Sequence, residues 1–297
     1  EEKKQKEETT ALVESKPVSE DLTYIDGDVA AGEVTLESAL AFEKTFKSIV
    51  YKDKPVEAGV MAFITGGYLR PHQLEGLDHL DFSNADMGPE GAKLLAACFH
   101  KRCNLTHLCL NGNNIGDNGN GSILAGIVSG GGHNSLTYLD LRRNQLTMVT
   151  DGLANMAGIT SLTSLNLAWN CLTLDSERHR TIMVDALQPL KNLTYLNLSH
   201  NRLQDVGLKV FHEEIFDCLT SLTNLDLKSC FITPLSYSVF DSMVRHTNPN
   251  IPIKRLNIRN NICKDQDRLE LIYQARHHNI HLGIDEPEEL HQEKIKK

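Results

Sequence analysis

The stretch Leu193–Leu203, which reads LTYLNLSHNRL, is the clearest copy of the pattern on which the fold of this chain depends. Leu196 and Leu198 alternate with polar residues, and this period of two is that of a β-strand with one buried face. Asn201 follows the strand, where its side-chain amide can bond backbone groups that a buried turn would leave unpaired. The stretch therefore predicts a short strand followed by a tight, asparagine-stabilised turn.

The same eleven-residue pattern, L-x-x-L-x-L-x-x-N-x-L, occurs seven times along the chain. The copies begin at Leu77, Leu105, Leu136, Leu162, Leu193, Leu222 and Ile253, and successive starts are 26 to 31 residues apart. A regular period of this length is typical of a solenoid, in which each unit packs only against its neighbours. The leucines of one copy are therefore expected to stack on those of the next.

Two copies depart from the pattern at the asparagine position. Five copies carry asparagine there: Asn113, Asn144, Asn170, Asn201 and Asn261. The first copy has Ala85 and the sixth has Cys230. Alanine has no side-chain group that can bond the turn, so the first copy is predicted to be a degenerate, capping repeat.

Helical stretches are predicted between the strands. The clearest are Pro89–His100, Val206–Leu219 and Leu235–His246, and the second can form an apolar stripe of near-helical spacing. Beyond Cys263, residues around Leu271 predict a last helix, and 280–284 predict a closing strand.

The ends of the chain differ from the repeats. Residues 1–20 are charged and predict a disordered tail, and 286–297 predict a second charged tail. Residues 21–71 predict a helical N-terminal cap, because solenoids need polar caps on their end repeats. One helix of this cap is predicted to carry Ala39, Phe42, Phe46, Ile49 and Val50 on one face.

The repeats resemble the ribonuclease-inhibitor class of leucine-rich repeats, whose units of about 28 residues alternate a strand with a full helix. The resemblance extends over residues 72–285. It implies an α/β solenoid of about seven repeats, with a curved parallel sheet on the concave side and helices on the convex side. It does not name a partner, because this class has many functions.

In this fold, three outward strand positions per repeat form columns on the concave face. The first column reads His79, His107, Tyr138, Ser164, Tyr195, Asn224 and Arg255; the middle one reads Asp81, Cys109, Asp140, Asn166, Asn197, Asp226 and Asn257; the third reads Ser83, Asn111, Arg142, Ala168, Ser199, Lys228 and Arg259. The middle column is expected to provide solubility and lateral hydrogen bonds.

Partner binding is predicted on this face. The candidate residues are His79, His107, Tyr138, Arg142, Tyr195, Lys228, Arg255 and Arg259, with Trp169 at the rim. Tyrosine, tryptophan and arginine are enriched among residues that dominate binding energy. Since the chain carries a net charge of -9, a locally basic face predicts a protein partner with an acidic segment.

Other classes of function are disfavoured. The acidic balance argues against nucleic acid, whose binding rests on lysine and arginine, and no apolar stretch approaches the roughly 20 residues of a membrane span. No cysteine or histidine spacing predicts a metal, and no cofactor is predicted; His277, His278 and His281 are interpreted as surface residues. The glycine-rich segment 130–133 lacks the lysine of a phosphate-binding loop. We therefore do not expect an enzyme.

The predicted function is a non-enzymatic protein-interaction scaffold, a structural subunit of a larger hetero-oligomeric assembly of cytoskeletal, ciliary or organellar type. One alternative is a GTPase activator resembling the Ran GTPase activator, although that family usually carries a long acidic tail and this chain ends in Lys294–Lys297, KIKK. Another is an inhibitor or immune-sensor fragment, which here would lack a nucleotide-binding module.

The cysteines bear on location. Seven cysteines are scattered without paired spacing, which is typical of a reducing, intracellular compartment such as the cytoplasm. The sequence begins at Glu1 without an initiator methionine, so an organellar location set by an upstream targeting segment is left open.

Overall fold

The computed structural model describes residues 24–25, 48–50, 52–53, 55, 77–99, 104–245, 252–262 and 264–285. Within these residues, ten parallel strands form one sheet in chain order. They are β1 Tyr24–Ile25, β2 Ser48–Val50, β3 His79–Asp81, β4 His107–Cys109, β5 Tyr138–Asp140, β6 Ser164–Asn166, β7 Tyr195–Asn197, β8 Asn224–Asp226, β9 Arg255–Asn257 and β10 His281–Gly283. The seven predicted repeat strands are β3 to β9, and β10 is the predicted closing strand.

Helices connect most of these strands. In the described ranges they are α1 Gly88–Phe99, α2 Gly116–Ser129, α3 Glu177–Leu187, α4 Gln204–Val210, α5 Tyr237–Arg245 and α6 Asp265–His277. A π-helical turn, Phe211–Ile215, and a 3-10 turn, Phe216–Cys218, continue α4. The three clearest predicted helices and the last helix are therefore confirmed, and the α/β solenoid is confirmed as the fold.

The connection after β5 is a 3-10 helix, Asp151–Gly158, rather than an α-helix. The spacing from Leu136 to Leu162 is the shortest in the chain, so fewer residues are available for the crossover. Two glycines allow this helix to lie close to α2, because a Cβ added at Gly152 would lie 2.8 Å from the Cα of Gly121. The close backbone approach therefore requires glycine.

The core is a ladder of leucines from consecutive strands. The parallel register pairs the central residues of β3 to β9 with one another. These residues are Leu80, Leu108, Leu139, Leu165, Leu196, Leu225 and Leu256, and each is at most 2% exposed. Burial of one such side chain contributes about 1.5–3 kcal/mol, so the seven leucines together contribute substantially to stability.

The repeat asparagines form a second ladder, beside the leucines. Asn144 donates from Nδ2 to the carbonyl oxygens of Leu110 at 2.8 Å and Leu141 at 3.0 Å, and its Oδ1 accepts from the N–H of Asn113 at 3.1 Å. Asn113, Asn170, Asn201 and Asn261 make equivalent bonds. The predicted role of the asparagine in the turn is therefore confirmed.

Two aspartates in the first turns of helices tie neighbouring repeats together. Asp117 of α2 accepts from the Thr147 hydroxyl at 2.6 Å and from the Val149 N–H at 2.8 Å. Asp205 of α4 accepts from the Thr233 hydroxyl at 2.7 Å and from its N–H at 3.0 Å. Each carboxylate thus lies at a helix N-terminus, where the dipole favours it, and also holds the next repeat.

The N-terminal predictions need correction where the structure describes that region. Ser48–Val50 is a strand paired with β3, so the helix predicted through Ile49 and Val50 is wrong there. Two β-branched residues suit a strand, and pairing satisfies the backbone groups of the β3 edge. The first repeat therefore does not end the sheet, which contradicts its predicted capping role. The tails 1–20 and 286–297, and most of 21–71, lie outside the described residues.

Candidate functional site

The outward side chains of the strands form the predicted columns. The register aligns His79, His107, Tyr138, Ser164, Tyr195, Asn224, Arg255 and, on β10, His281. Five of the candidate residues thus lie in one line, and Arg142, Lys228 and Arg259 lie just beyond the strand ends. Whether these residues bind a partner stays a prediction.

The N-terminal half of the first column is a stripe of rings. The His79 and His107 ring centroids are 5.8 Å apart, and those of His107 and Tyr138 are 5.6 Å apart. Burial lowers the pKa of His79, helped by the charge of His107 and opposed by that of Asp81. Burial raises the pKa of Tyr138 to about 12. Near neutral pH, His79 and Tyr138 are therefore uncharged aromatic side chains on this part of the face.

The middle column has a structural role that the sequence prediction did not include. Each of its Asp or Asn side chains accepts from the backbone N–H two residues further on, which closes the turn after the strand. The acceptors are Asp81, Asp140, Asn166, Asn197, Asp226 and Asn257. The recurrence of Asp or Asn at one repeat position was the available signal.

The charge of Arg142 is already balanced within the protein. Its Nε lies 3.0 Å from Oδ2 of Asp140, whose carboxylate is 2% exposed. Burial raises the pKa of Asp140, and the hydrogen bonds and charge of Arg142 lower it. The ion pair offsets the cost of burying this carboxylate, so Arg142 adds little positive charge to the face.

Positive charge gathers instead at the C-terminal end of the concave face. We call Lys228, Arg255 and Arg259 the basic cluster. Arg255 and Arg259 are exposed and Lys228 is half-buried. None of the three forms an ion pair within the described part of the chain. Arg255 and Arg259 border a cavity of about 220 Å³, which Tyr195 and His281 also line.

One carboxylate, Asp226, shares that cavity. It is engaged by the Lys228 N–H at 2.9 Å and by the Asn257 amide at 3.0 Å. Tyr195 lies beside it and accepts from the Asn197 amide at 3.2 Å, and burial raises the pKa of Tyr195. The cavity therefore combines an uncharged ring with two guanidinium groups that have no carboxylate partner of their own.

Trp169 lies in a different column, at the edge where the chain leaves the strands. Its ring stacks on His200 with centroids 3.7 Å apart and an interplanar angle of 11°, and the Arg143 guanidinium lies 5.2 Å from its centroid. All three residues have left-handed backbones, with φ of 55° or 56°. The stack is thus a rim feature next to the concave face. The sequence signal that was missed is that each residue directly precedes a repeat asparagine.

Several further features of the described residues bear on chemistry other than binding. No group of three or more His, Cys, Asp and Glu side chains there could hold a metal ion. His277 and His278 contact only edge-on, at 5.2 Å between centroids. The glycine-rich segment forms the turn Gly132–Asn134 between α2 and β5. In the same ranges, no helix has the length and apolar character needed to cross a bilayer.

Family models match much of the repeat region. The model described as "Leucine Rich repeat" matches residues 77–96, 101–123, 132–147 and 158–175. The model described as "Leucine Rich repeats (2 copies)" matches residues 191–239. Together with the solenoid, these matches identify a leucine-rich-repeat protein. They do not distinguish the ribonuclease-inhibitor-like subclass.

Three known proteins illustrate the similarity. Human NACHT, LRR and PYD domains-containing protein 13 is 31% identical over 217 residues, which cover 70% of this chain and 20% of the relative. Lumican of Coturnix japonica is 38% identical over 110 residues, covering 36% and 27%. The solved internalin C2 of Listeria monocytogenes has a TM-score of 0.47 and 18% identity, covering 85% of this chain and 84% of that one. This chain spans between a fifth and about a quarter of the length of the two curated relatives.

Proposed function

We propose that this leucine-rich-repeat protein is a non-enzymatic interaction scaffold whose concave face binds an acidic segment of a protein partner at the basic cluster. The observation that carries the proposal is that Lys228, Arg255 and Arg259 lie on or just beyond two adjacent strands at one end of the sheet, with no ion-pair partner in the described chain. The chain as a whole has a net charge of -9, so the positive charge at this site is opposite in sign to the net charge of the chain.

Physical chemistry favours a carboxylate-rich ligand at this site. Arginine presents a planar fork of donors that matches a carboxylate, and such charge-assisted bonds are stronger than neutral ones. The cavity between Arg255 and Arg259 offers a partly enclosed position for one acidic side chain. The rings of Tyr195, Tyr138 and His107 extend the same column and offer contact area along a bound segment.

We further propose that the chain is a structural subunit of a larger intracellular assembly. Cys109, Cys171, Cys218 and Cys230 form no disulfide, which agrees with a reducing compartment. The relatives named above give no support to the alternative of a Ran-type GTPase activator.

The test is a selection of random 16-residue peptides displayed on phage against the wild-type chain. The variant K228E/R255E/R259E reverses the basic cluster. A control, K191E/K209E/R276E, makes the same charge change at exposed positions outside the sheet face. We expect enriched peptides rich in Asp and Glu that bind the cluster variant about tenfold more weakly or worse and bind the control like the wild type. Equal thermal unfolding of all three proteins makes the comparison valid.

Enriched peptides without acidic residues, or equal binding to the cluster variant, would contradict the proposal. Cross-linking the wild type and the same variants in extracts of the native source then identifies the natural partner by mass spectrometry.

A further inference from the structure

Exposed apolar side chains gather at the edge of the solenoid next to the basic cluster. We call Val206, Phe231, Leu235 and Ile262 the edge patch. Their exposed fractions are 60%, 64%, 87% and 67%. Phe231 and Ile262 lie in the turn after a strand, Val206 and Leu235 lie in the first turn of the helical segment that follows a strand, and all four come from the last three repeats. Contiguous exposed apolar surface of this kind marks interaction sites.

The repeat register places these residues side by side. Phe231 and Ile262 directly follow Cys230 and Asn261, so they hold one position in neighbouring repeats, and the Ile262 N–H donates to the Ile232 carbonyl at 2.9 Å. In earlier repeats this column is polar, with Asn114 and Gln145 hydrogen-bonded at 3.0 Å. Asp205, the residue before Val206, accepts hydrogen bonds from Thr233, two residues before Leu235, so the turns that carry Val206 and Leu235 are joined.

Phe231 is exposed in a backbone conformation that disfavours it. Its φ is 60°, in the left-handed region that asparagine and glycine tolerate better than a bulky residue does. An exposed phenylalanine gains little from packing, so neither burial nor backbone preference accounts for it. Strain held at an exposed aromatic residue favours a role in binding.

The positive charge beside the edge patch indicates which kind of partner covers the patch. Lys228 precedes Phe231 by three residues and Arg259 precedes Ile262 by three, so in these two repeats the chain passes from a cation on the concave face to an apolar residue on the edge. Exposed Arg202 holds the Phe231 position one repeat earlier. We infer that one partner segment crosses this edge, with acidic residues on the basic cluster and neighbouring aromatic or aliphatic residues on the edge patch. This inference rests on the proposed function.

The test uses an acidic peptide selected on the wild type, measured by fluorescence anisotropy against Phe231→Asn and Ile262→Gln. Val149→Gln is the matched control, because Val149 is 64% exposed on the same edge but outside the patch. We expect Phe231→Asn to unfold at the same or a higher temperature than the wild type, yet to bind about tenfold more weakly. The selected peptides should carry apolar residues beside the acidic ones.

Different failures are distinguishable. If Phe231→Asn and Ile262→Gln bind within twofold of the wild type while the reversed basic cluster does not bind, the edge inference is wrong and the proposed function stands. If the reversed cluster also binds normally, both are wrong. If light scattering shows a wild-type dimer that Phe231→Asn converts to a monomer, the patch is covered by a second copy of the chain, and the partner-segment inference is overturned.

Discussion

At the residue scale, the side chain of the repeat asparagine both donates and accepts hydrogen bonds that join neighbouring repeats. The Asn144 amide donates to carbonyl oxygens of its own repeat and of the preceding one, and its oxygen accepts from the preceding turn. It is fully buried. These buried backbone groups cannot form hydrogen bonds with water. The asparagine side chain therefore supplies the hydrogen bonds that the backbone groups of two neighbouring turns need.

Replacement of Asn144 by alanine should therefore destabilise the whole domain. Each buried backbone group left without a partner costs about 1–3 kcal/mol, so we expect a loss of at least about 3 kcal/mol. Asn118→Ala is the control, because Asn118 is exposed in α2 and its replacement should change stability by less than about 0.5 kcal/mol. Urea denaturation followed by circular dichroism measures both. Equal stability of the two variants would contradict the proposed role of the ladder.

Cys230 shows how another side chain fills the asparagine position. Its Sγ lies 3.3 Å from the Leu198 carbonyl oxygen, in place of an amide donor. Burial raises its pKa to about 12, so the thiol stays protonated and can donate. Asn261 of the next repeat accepts from its N–H at 2.9 Å.

This environment predicts selective thiol reactivity. In the folded protein at neutral pH, exposed Cys171 should react with iodoacetamide, and Cys230 should react only after unfolding. Peptide mass spectrometry after timed labelling distinguishes the two cysteines. Labelling of Cys230 at a rate near that of Cys171 would show that the turn opens far more readily than its burial implies.

At the scale of elements, the first turn of a helix is joined to the following repeat by a carboxylate. Burial opposes ionisation of Asp205, but hydrogen bonds from Ser236 and Thr233 outweigh it and hold its pKa below the usual value. Because its folded-state pKa is depressed, the charged form contributes stability above the unfolded-state pKa of about 3.9. That contribution is lost as the pH falls through the folded-state pKa.

Asp205→Asn should thus destabilise the protein at pH 7 and matter less in acid. We expect a loss of about 1 kcal/mol at pH 7, a modest value because the carboxylate is partly exposed. The difference in the free energy of unfolding between the variant and the wild type should become smaller below about pH 4. Denaturation midpoints at pH 7, 5 and 3.5 test this. A difference in stability that did not depend on pH would contradict this role, because it would show that the ionised form of Asp205 is not the source of the stability.

At the scale of the whole molecule, one curved sheet carries surfaces of different character. The first column begins with the neighbouring rings of His79, His107 and Tyr138 and has Arg255 near its other end. A solenoid presents these surfaces at fixed separations, because each repeat is held only by its neighbours in a regular register. The basic cluster lies on a chain with a net charge of -9. The electrostatic field of such a cluster can orient an acidic partner before contact.

Salt should weaken binding of a selected acidic peptide to the wild type. Raising NaCl from 0.1 M to 1 M shortens the screening length from about 10 Å to about 3 Å, and we expect the Kd to rise about tenfold. The edge-patch variants should keep this salt dependence, since they change only apolar contacts. Isothermal titration at several salt concentrations measures it. A Kd unaffected by salt would be incompatible with binding at the basic cluster.

The sequence predicted features that repeat within each unit, because local periodicity specifies them. Alternating leucines fixed which strand residues are buried, and the asparagine position fixed where each strand ends. Their shared position within the repeat pattern placed Tyr138, Tyr195 and Arg255 in one column. The helix predicted through Ile49 failed because its apolar spacing fits a helical face, whereas pairing with β3 makes it a strand.

Lateral contacts were decided by the tertiary structure. Arg142 is balanced by Asp140, Trp169 is stacked on His200, and Phe231 stands beside Ile262. Only Arg142 and Asp140 are close in sequence, and even that pair depends on how deeply the sheet buries the aspartate. The others join residues about one repeat apart, whose approach follows from register and turn geometry. Periodicity reveals which positions face outward, but the charge and exposure left at each one depend on its neighbours in space.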